Sequence, residues 1–248
     1  MKIGRSRWKP EVEESPFHLT GRGRIAPMAL ASLTGMTEDP RRYASSHPLI
    51  ATRVARLRDA STSDEAFRRL VDEITTFLAF EAFGDLPVTS VAVTTPVAPT
   101  RGVELAVAPV VVPILRAGLG MASTVQRVLG PSRLCLLGLR RNEATLESEI
   151  YLDGLPADLR GATVVLCDPM LATGGSLCHA LSLVAERGAA TIIVLCLLAA
   201  IPGIQRVMSE FPAISLTVAA VDPELNEHGY IVPGLGDAGD RQFGAPTW

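Results

Sequence analysis

Lysine is nearly missing from this chain: of 23 basic residues only Lys2 and Lys9 are lysines. A phosphate bound in the body of the chain must therefore be held by arginine, backbone N–H groups or a metal. The formal net charge is −3, which gives no general electrostatic pull toward DNA, RNA or an anionic membrane, so any anion site is local. No apolar run reaches the roughly 18 residues of a membrane-spanning helix. A signal-type apolar core with a small-residue cleavage site is also missing. No nucleic-acid or membrane partner is expected, and the expected location is cytoplasmic.

The cysteines at 135, 167, 178 and 196 contain no CxxC pair. Cys178 and His179 are neighbours on a predicted helix, where adjacent side chains diverge by about 100°, so zinc is not expected. Three of the four sit in apolar runs as small hydrophobes, a usage that fits a reducing compartment.

What remains is a globular composition, 48% apolar and 20% charged, long enough to bury a substantial core without disulfides. Residues 1–46 mix Arg, Glu, Pro, Gly and Ser with little periodicity and read as a flexible N-terminal extension, with Met28 and Met36 as alternative starts. Organised sequence, and the expected domain, runs from His47 to Trp248.

Ile50, Val54 and Leu57 repeat at helical spacing. Thr62 with Glu65 resembles a capping box ahead of a second amphipathic helix ending near Gly84. Val88 to Leu105 reads as a hairpin. Apolar strands are predicted at Val110–Leu115, Leu134–Leu139, Thr163–Cys167 and Thr191–Leu198, with a last one at Ser215–Val221. Between them lie helices at Leu119–Leu129, Gly175–Arg187 and Pro202–Glu210. This alternation predicts an α/β fold with a central, mainly parallel sheet flanked by helices. Arg140–Pro156 interrupts it as a hairpin or a lid, and Asp222–Gly244 is a Gly- and Pro-rich tail without helical period.

The chemistry is most legible after the strand at Thr163–Cys167. There Asp168, Pro169, Met170, Leu171, Ala172, Thr173, Gly174, Gly175 and Ser176 lead into a helix. Strand, loop and helix present unpaired N–H groups and a positive dipole end to an anion. Gly174 and Gly175 permit close approach, Thr173 and Ser176 add hydroxyl donors, and Asp168 can accept from two sugar hydroxyls. Thr-Gly-Gly-Ser could also be an ordinary turn. The flanking strand, aspartate and helix favour a phosphate. No Gly-Lys-Ser/Thr or GxGxxG motif follows a strand.

This loop resembles the ribose-phosphate loop of the phosphoribosyltransferases, and the proline after its aspartate resembles the uracil branch. The resemblance extends to Pro113–Gly120 (PILRAGLG), Arg141-Asn142-Glu143 and Asn226–Asp240 (NEHGYIVPGLGDAGD), and covers about His47 to Gly244. It implies a type I phosphoribosyltransferase-like fold with a hairpin arm and an irregular base-recognition tail. The implied activity is uracil phosphoribosyltransferase, which forms UMP and diphosphate from uracil and 5-phosphoribosyl 1-diphosphate in pyrimidine salvage.

The same resemblance implies that residues 168–176 bind the sugar phosphate and that Arg116 contacts the diphosphate sugar. Arg141 would close over the diphosphate, while Asp237 helps hold a Mg²⁺-bound substrate. Ile231, Gly236, Asp237 and Ala238 would form the uracil site. A homo-oligomer and a GTP effector are family expectations. His228 could serve as a general base, but a structural or orienting role fits its place on the flank of the tail better.

Two departures stand out. Gly154 replaces a lysine common before the Leu-Pro pair, and Phe83 and Gly84 replace polar residues after Glu-Ala. The competing reading is a nucleotide-sensing or RNA-binding regulator that keeps this fold, against which the mild acidity and the intact base-reading segment count.

Overall fold

The computed structural model describes residues 39–141 and 148–245. Most of the expected extension, 1–46, lies outside them. From Pro40 the chain is packed: a 3-10 turn at Pro40–Tyr43 leads to a bridge between Ala44 and Val218.

Helices α1 (Pro48–Arg58) and α2 (Asp64–Ala82) follow, with Ile50, Val54, Leu57, Phe67, Leu70, Val71, Ile74 and Leu78 buried at helical spacing. The cap of α2 falls one residue later than the sequence suggests. Ser63 accepts from the Ala66 N–H, while the Thr62 hydroxyl donates to the Arg56 carbonyl at 2.6 Å. Asp64 and Glu65 then stand in the first turn, where the helix dipole favours negative charge.

Strands β1 (Val88–Thr94) and β2 (Pro99–Leu105) form a separate antiparallel hairpin. The main sheet is built from β3 (Val110–Leu115), β4 (Arg133–Leu134), β5 (Leu137–Arg141), β6 (Ser148–Asp153), β7 (Thr163–Cys167), β8 (Met170–Leu171), β9 (Thr191–Ala200) and β10 (Ser215–Asp222). Its order is β10-β9-β7-β3-β5-β6, with β4 beside β3 and β8 beside β9. All its pairs are parallel except β5 with β6.

Two expectations are corrected. The single strand predicted at Leu134–Leu139 is two short ones, because Cys135 donates to Val111 and the chain steps before pairing resumes at Leu137 opposite Ile114. The tail is less irregular than its composition suggests. It holds the ladder of β11 (Glu224–Leu225) with β12 (Ile231–Val232) and the six-residue helix α6 (Ala238–Phe243), too short for its period to register in sequence.

Helices α3 (Leu119–Leu129), α4 (Gly175–Glu186) and α5 (Ile201–Glu210) complete the layers. Strand residues alternate faces with period two. Val165 and Cys167 join a core with α1, α2 and α3, whereas Val164 and Leu166 join another with α4 and α5. Every residue of β7 is buried, as a strand covered on both faces must be.

The Arg140–Pro156 segment is a hairpin: β5 and β6 pair from Leu137 opposite Asp153 to Arg141 opposite Ser148. At its foot Arg187 binds the Asp153 carboxylate and the Leu155 carbonyl, which holds the Asp153 carboxyl below its usual range. Gly154 has a local cause: a Cβ there would stand 2.8 Å from the Leu136 carbonyl oxygen. Phe83 ends α2, and its ring packs partly buried against the core.

In α2 the side chain of Thr75 is fully buried, and its hydroxyl meets no partner among the described residues. Replacing a buried, unsatisfied hydroxyl by a methyl of the same shape removes a desolvation cost. Thr75→Val is therefore expected to raise stability by about 1 kcal/mol, read as a higher urea midpoint at unchanged m-value.

Candidate active site

The chain leaves β3 toward β5 on one side and leaves β7 toward β9 on the other, while β3 and β7 are neighbours. The strand order reverses between them. In open α/β sheets the crevice beyond the carboxyl ends of such a pair is where ligands bind. Arg116 follows β3 and Asp168 follows β7, so both predicted residues reach this crevice from opposite walls.

A cleft of about 270 Å³ lies here, lined by Ile114–Ala117, Leu139, Asp168, Met170–Leu177 and Gly229. Pro169 is not on it. Its carbonyl accepts from Leu197 and Leu198, so its part is to seat the loop on β9. Short β8 extends that seating, with Met170 opposite Leu198 and Leu171 opposite Ala199.

Gly174 is left-handed, with φ of 81°, and α4 begins after it without a side-chain cap. Its first turn thus presents backbone N–H groups to the cleft, the arrangement that receives phosphate. Behind the loop Gly203 is required, because a Cβ there would be 2.2 Å from the Ala172 carbonyl oxygen.

Asp168 donates its backbone N–H to Leu195, and its carboxylate accepts from the Met170 N–H at 3.4 Å. Burial pushes its carboxyl up to about 7, against a weaker lowering by that hydrogen bond.

A second cleft of about 630 Å³ shares Ala117, Met170, Ala172 and Gly229 with the first. Its other walls are His228, Tyr230, Ile231 and Gly236–Gly239, so the predicted base-site residues Ile231, Gly236, Asp237 and Ala238 all face it. Asp237 caps α6, accepting from the Asp240 N–H at 2.9 Å. Arg116 extends across to Asp240 at 3.0 Å. A Cβ placed on Gly239 would be 3.1 Å from Asp237 Oδ1 and 3.9 Å from Arg116 Nη2, which measures how closely the two clefts meet.

Of the remaining predicted residues, one lies partly outside the described residues and the other stands on the wall of the second cleft. The backbone of Arg141 ends β5, but its side chain, with Asn142 and Glu143, lies outside the described residues. His228 is largely exposed, 3.4 Å from the Glu227 carboxylate. A general base needs a defined partner, and this surface pairing provides none.

Sequence reasoning missed the residues that hold the tail. Asp222, 4% exposed at the end of β10, receives both arms of the Arg58 guanidinium at 2.6 and 2.7 Å. It also accepts from the Gly234 N–H at 3.0 Å, and Arg58 donates to the Gly234 carbonyl at 2.8 Å. Arg241 lies over the Phe67 ring and donates to the carbonyls of Leu57, Leu235 and Asp59. Arg68 and Gln242 add further bonds to the same region. An arginine on a helix far from any motif gives no signal for such contacts. The one available clue is that Asp222 closes an apolar strand.

Among the described residues no group of three or more His, Cys, Asp and Glu could hold a metal by itself. Mg²⁺ prefers one or two carboxylates plus substrate oxygens to a protein cage, so the Asp237 carboxylate would be enough to help hold a substrate-bound ion, with Asp168 contributing only through the sugar.

The uracil phosphoribosyltransferase family model matches residues 44–245. The chain belongs to this family. A uracil phosphoribosyltransferase of Nocardioides sp. is 48% identical over 209 residues, 82% of this chain and 98% of its own. One from Kineococcus radiotolerans is 50% identical over 202 residues, 80% of this chain and 96% of its own. Among solved structures, the AQ2163 protein of Aquifex aeolicus superposes with a TM-score of 0.78 at 38% identity, covering 83% of this chain and 99% of that one. The fold is that of the phosphoribosyltransferases, a mainly parallel sheet flanked by helices with the tail wrapped over the carboxyl ends of its strands. No helix of the described residues is long and apolar enough to cross a membrane.

Two predictions concern the family site. The folded-state Asp168 carboxyl titrates above its unfolded value of 3.8, so its ionisation costs stability as pH rises from about 4 through about 7. Asp168→Asn is expected to be more stable than the parent at pH 8, on the order of 2 kcal/mol after allowance for partial exposure, and nearly equal at pH 4. Urea denaturation at the two pH values reads this.

Asp222→Asn leaves the Arg58 guanidinium without its counter-charge. A loss of about 3 kcal/mol is expected, as for breaking other buried pairs, together with faster hydrogen exchange at the Gly234 N–H.

Proposed function

We propose that this chain is a uracil phosphoribosyltransferase: it transfers the 5-phosphoribosyl group of 5-phosphoribosyl 1-diphosphate to uracil, giving UMP and diphosphate in pyrimidine salvage. The observation that carries this reading is the pair of clefts meeting at Ala117, Met170, Ala172 and Gly229. One is walled by a loop that leads into the uncapped start of α4, a form that suits a sugar phosphate, and the other by residues of the tail. A reacting sugar carbon at the junction would have the leaving group on one side and the base on the other.

In this reading the 5-phosphate sits against Thr173–Ser176 and the start of α4, and the ribose hydroxyls donate to Asp168. Arg116, joined by Arg141 from the hairpin, holds the diphosphate. The bond from C1 to the diphosphate oxygen breaks and the ring nitrogen of uracil bonds to C1. The electron pair leaves with diphosphate, and the uracil N–H proton passes to solvent water. The sugar is oxocarbenium-like in between, so rate comes from alignment and from charge stabilisation at the departing group. No protein nucleophile is required.

Uracil offers acceptor, donor and acceptor along one edge. Backbone at Ile231, Gly236 and Ala238 can match it with N–H, C=O and N–H, so cytosine would set its amino group against a donor. Asp237, with Asp168 acting through the sugar, would help hold a Mg²⁺ carried by substrate oxygens, whose charge would neutralise part of that on the diphosphate.

The reading includes a cytoplasmic homo-oligomer and a GTP effector. The hairpin of β1 and β2 supports the first: it stands apart from the main sheet and exposes Val88, Val93, Val97 and Val103, a surface that a partner copy would cover. Family membership alone supports the second.

The full chain with Mg²⁺, 5-phosphoribosyl 1-diphosphate and uracil is expected to release diphosphate and form UMP, with cytosine, hypoxanthine and orotate at least about 100-fold slower, the discrimination that unpaired buried polar groups provide. The assay is run with and without GTP. Folded protein that makes no nucleotide from uracil under either condition overturns the proposal, and preference for another of the four bases replaces uracil with that base.

A further inference from the structure

Gln242, in the last turn of α6, is 1% exposed. Its Nε2 donates to the Ala238 carbonyl at 2.8 Å and to the Ala117 carbonyl at 3.1 Å. Ala238 stands on the base-side cleft, and Ala117 follows Arg116 in the turn that borders both clefts. One buried amide thus ties together the two segments that approach the substrates from opposite sides.

The arrangement costs stability. Gln242 Oε1 is buried without a partner among the described residues. A leucine or methionine would fill the same space against α2 and α3 without that penalty, so the unsatisfied oxygen asks for an explanation beyond packing. The opposing helix is also shaped to the amide: a Cβ on Gly120 would stand 1.7 Å from Oε1. Gly120 is thereby accounted for in the PILRAGLG motif, where nothing in the phosphate chemistry demands a second glycine.

A second polar link between the same segments is the pair of Arg116 with Asp240. It is half exposed, and exposed pairs contribute little. In the proposed reaction it must also open, because Arg116 is needed at the diphosphate. Gln242 can persist throughout the cycle.

We propose that Gln242 is a positioning residue that couples the two substrate sites, transmitting the placement of the Arg116–Ala117 turn to the base-reading backbone at Ala238. This rests on the uracil phosphoribosyltransferase reading. Coupling of this kind is reciprocal: if the bound diphosphate sugar tightens uracil, uracil tightens the sugar by the same factor.

The test measures initial rates with the full chain, varying uracil at several fixed concentrations of 5-phosphoribosyl 1-diphosphate in Mg²⁺, and reads the coupling factor from the change in uracil KM. The parent is expected to bind uracil about fivefold or more tightly when the sugar diphosphate is saturating. In Gln242→Leu the factor is expected to fall below about twofold, with kcat at saturation of both substrates largely kept. Gly120→Ala, which displaces the amide from the other helix, is expected to lose the coupling too, and to add nothing further in a Gln242→Ala background.

A purely structural role would lower Tm and weaken both substrates in parallel with the coupling factor intact. That result overturns the inference, as does a parent enzyme that turns over with no coupling. If Gln242→Leu does not fold, Gln242→Met and Gly120→Ala decide by the same factor. Failure of the parent to make UMP overturns the proposed function, and this inference with it; loss of the inference alone leaves turnover in place.

Discussion

A Cβ at Gly118 would stand 2.1 Å from the Cys167 carbonyl oxygen and 2.7 Å from that of Ile114, so the strand ends that border the crevice can meet only through glycine. Much of the site depends on that approach. It brings the Arg116 turn against the end of β7, sets Asp168 opposite it, and fixes where α3 begins. A side chain at 118 would force β3 and β7 apart at their carboxyl ends, where a switch-point crevice must be narrow enough to grip a small ligand. The buried β-branched interior of the sheet makes the strands rigid, and glycine converts that rigidity into a defined gap.

The scarcity of lysine shapes how the rest is held. A guanidinium presents a planar fork that can satisfy several oxygens at once, which an ammonium on a flexible stem does less well. Arg58 binds both Asp222 oxygens and a carbonyl, and Arg241 serves three carbonyls while covering an aromatic ring. These contacts substitute for secondary structure in a tail with little of its own, satisfying backbone groups that would otherwise be buried without partners. Burial works against the Arg241 charge, and Asp59 and Asp64 nearby offset part of that.

The layers, the sheet and the strand–loop–helix unit around Asp168 to Ser176 were legible in the sequence because their signals are local. Apolar runs bounded by turn residues mark the strands, and Asp168 to Ser176 carries its own chemistry in consecutive residues. The break at Leu134–Leu139 was not legible, since an apolar run looks the same whether its pairing is continuous or stepped. Neither was α6, because six residues are less than two helical turns. The anchors of the tail were invisible for a different reason: Arg58 and Asp222 are 164 positions apart, and only the folded chain brings them together. Family resemblance singled out Ile231, Gly236, Asp237 and Ala238, which line the second cleft and carry no shared side-chain signature.

Arg116 carries its own counter-charge at the junction of the clefts. Its guanidinium pairs with Asp240 across the junction, leaving the described surface without an uncompensated charge at that point. In the proposed reaction a diphosphate, with more charge than one carboxylate and oxygens in the geometry a guanidinium prefers, would displace Asp240 at little cost from an exposed pair. Asp240 then stands one turn into α6, beside the cap formed by Asp237. The backbone behind the junction is held by half-buried arginines and by one buried amide, which ties the Arg116 turn to α6.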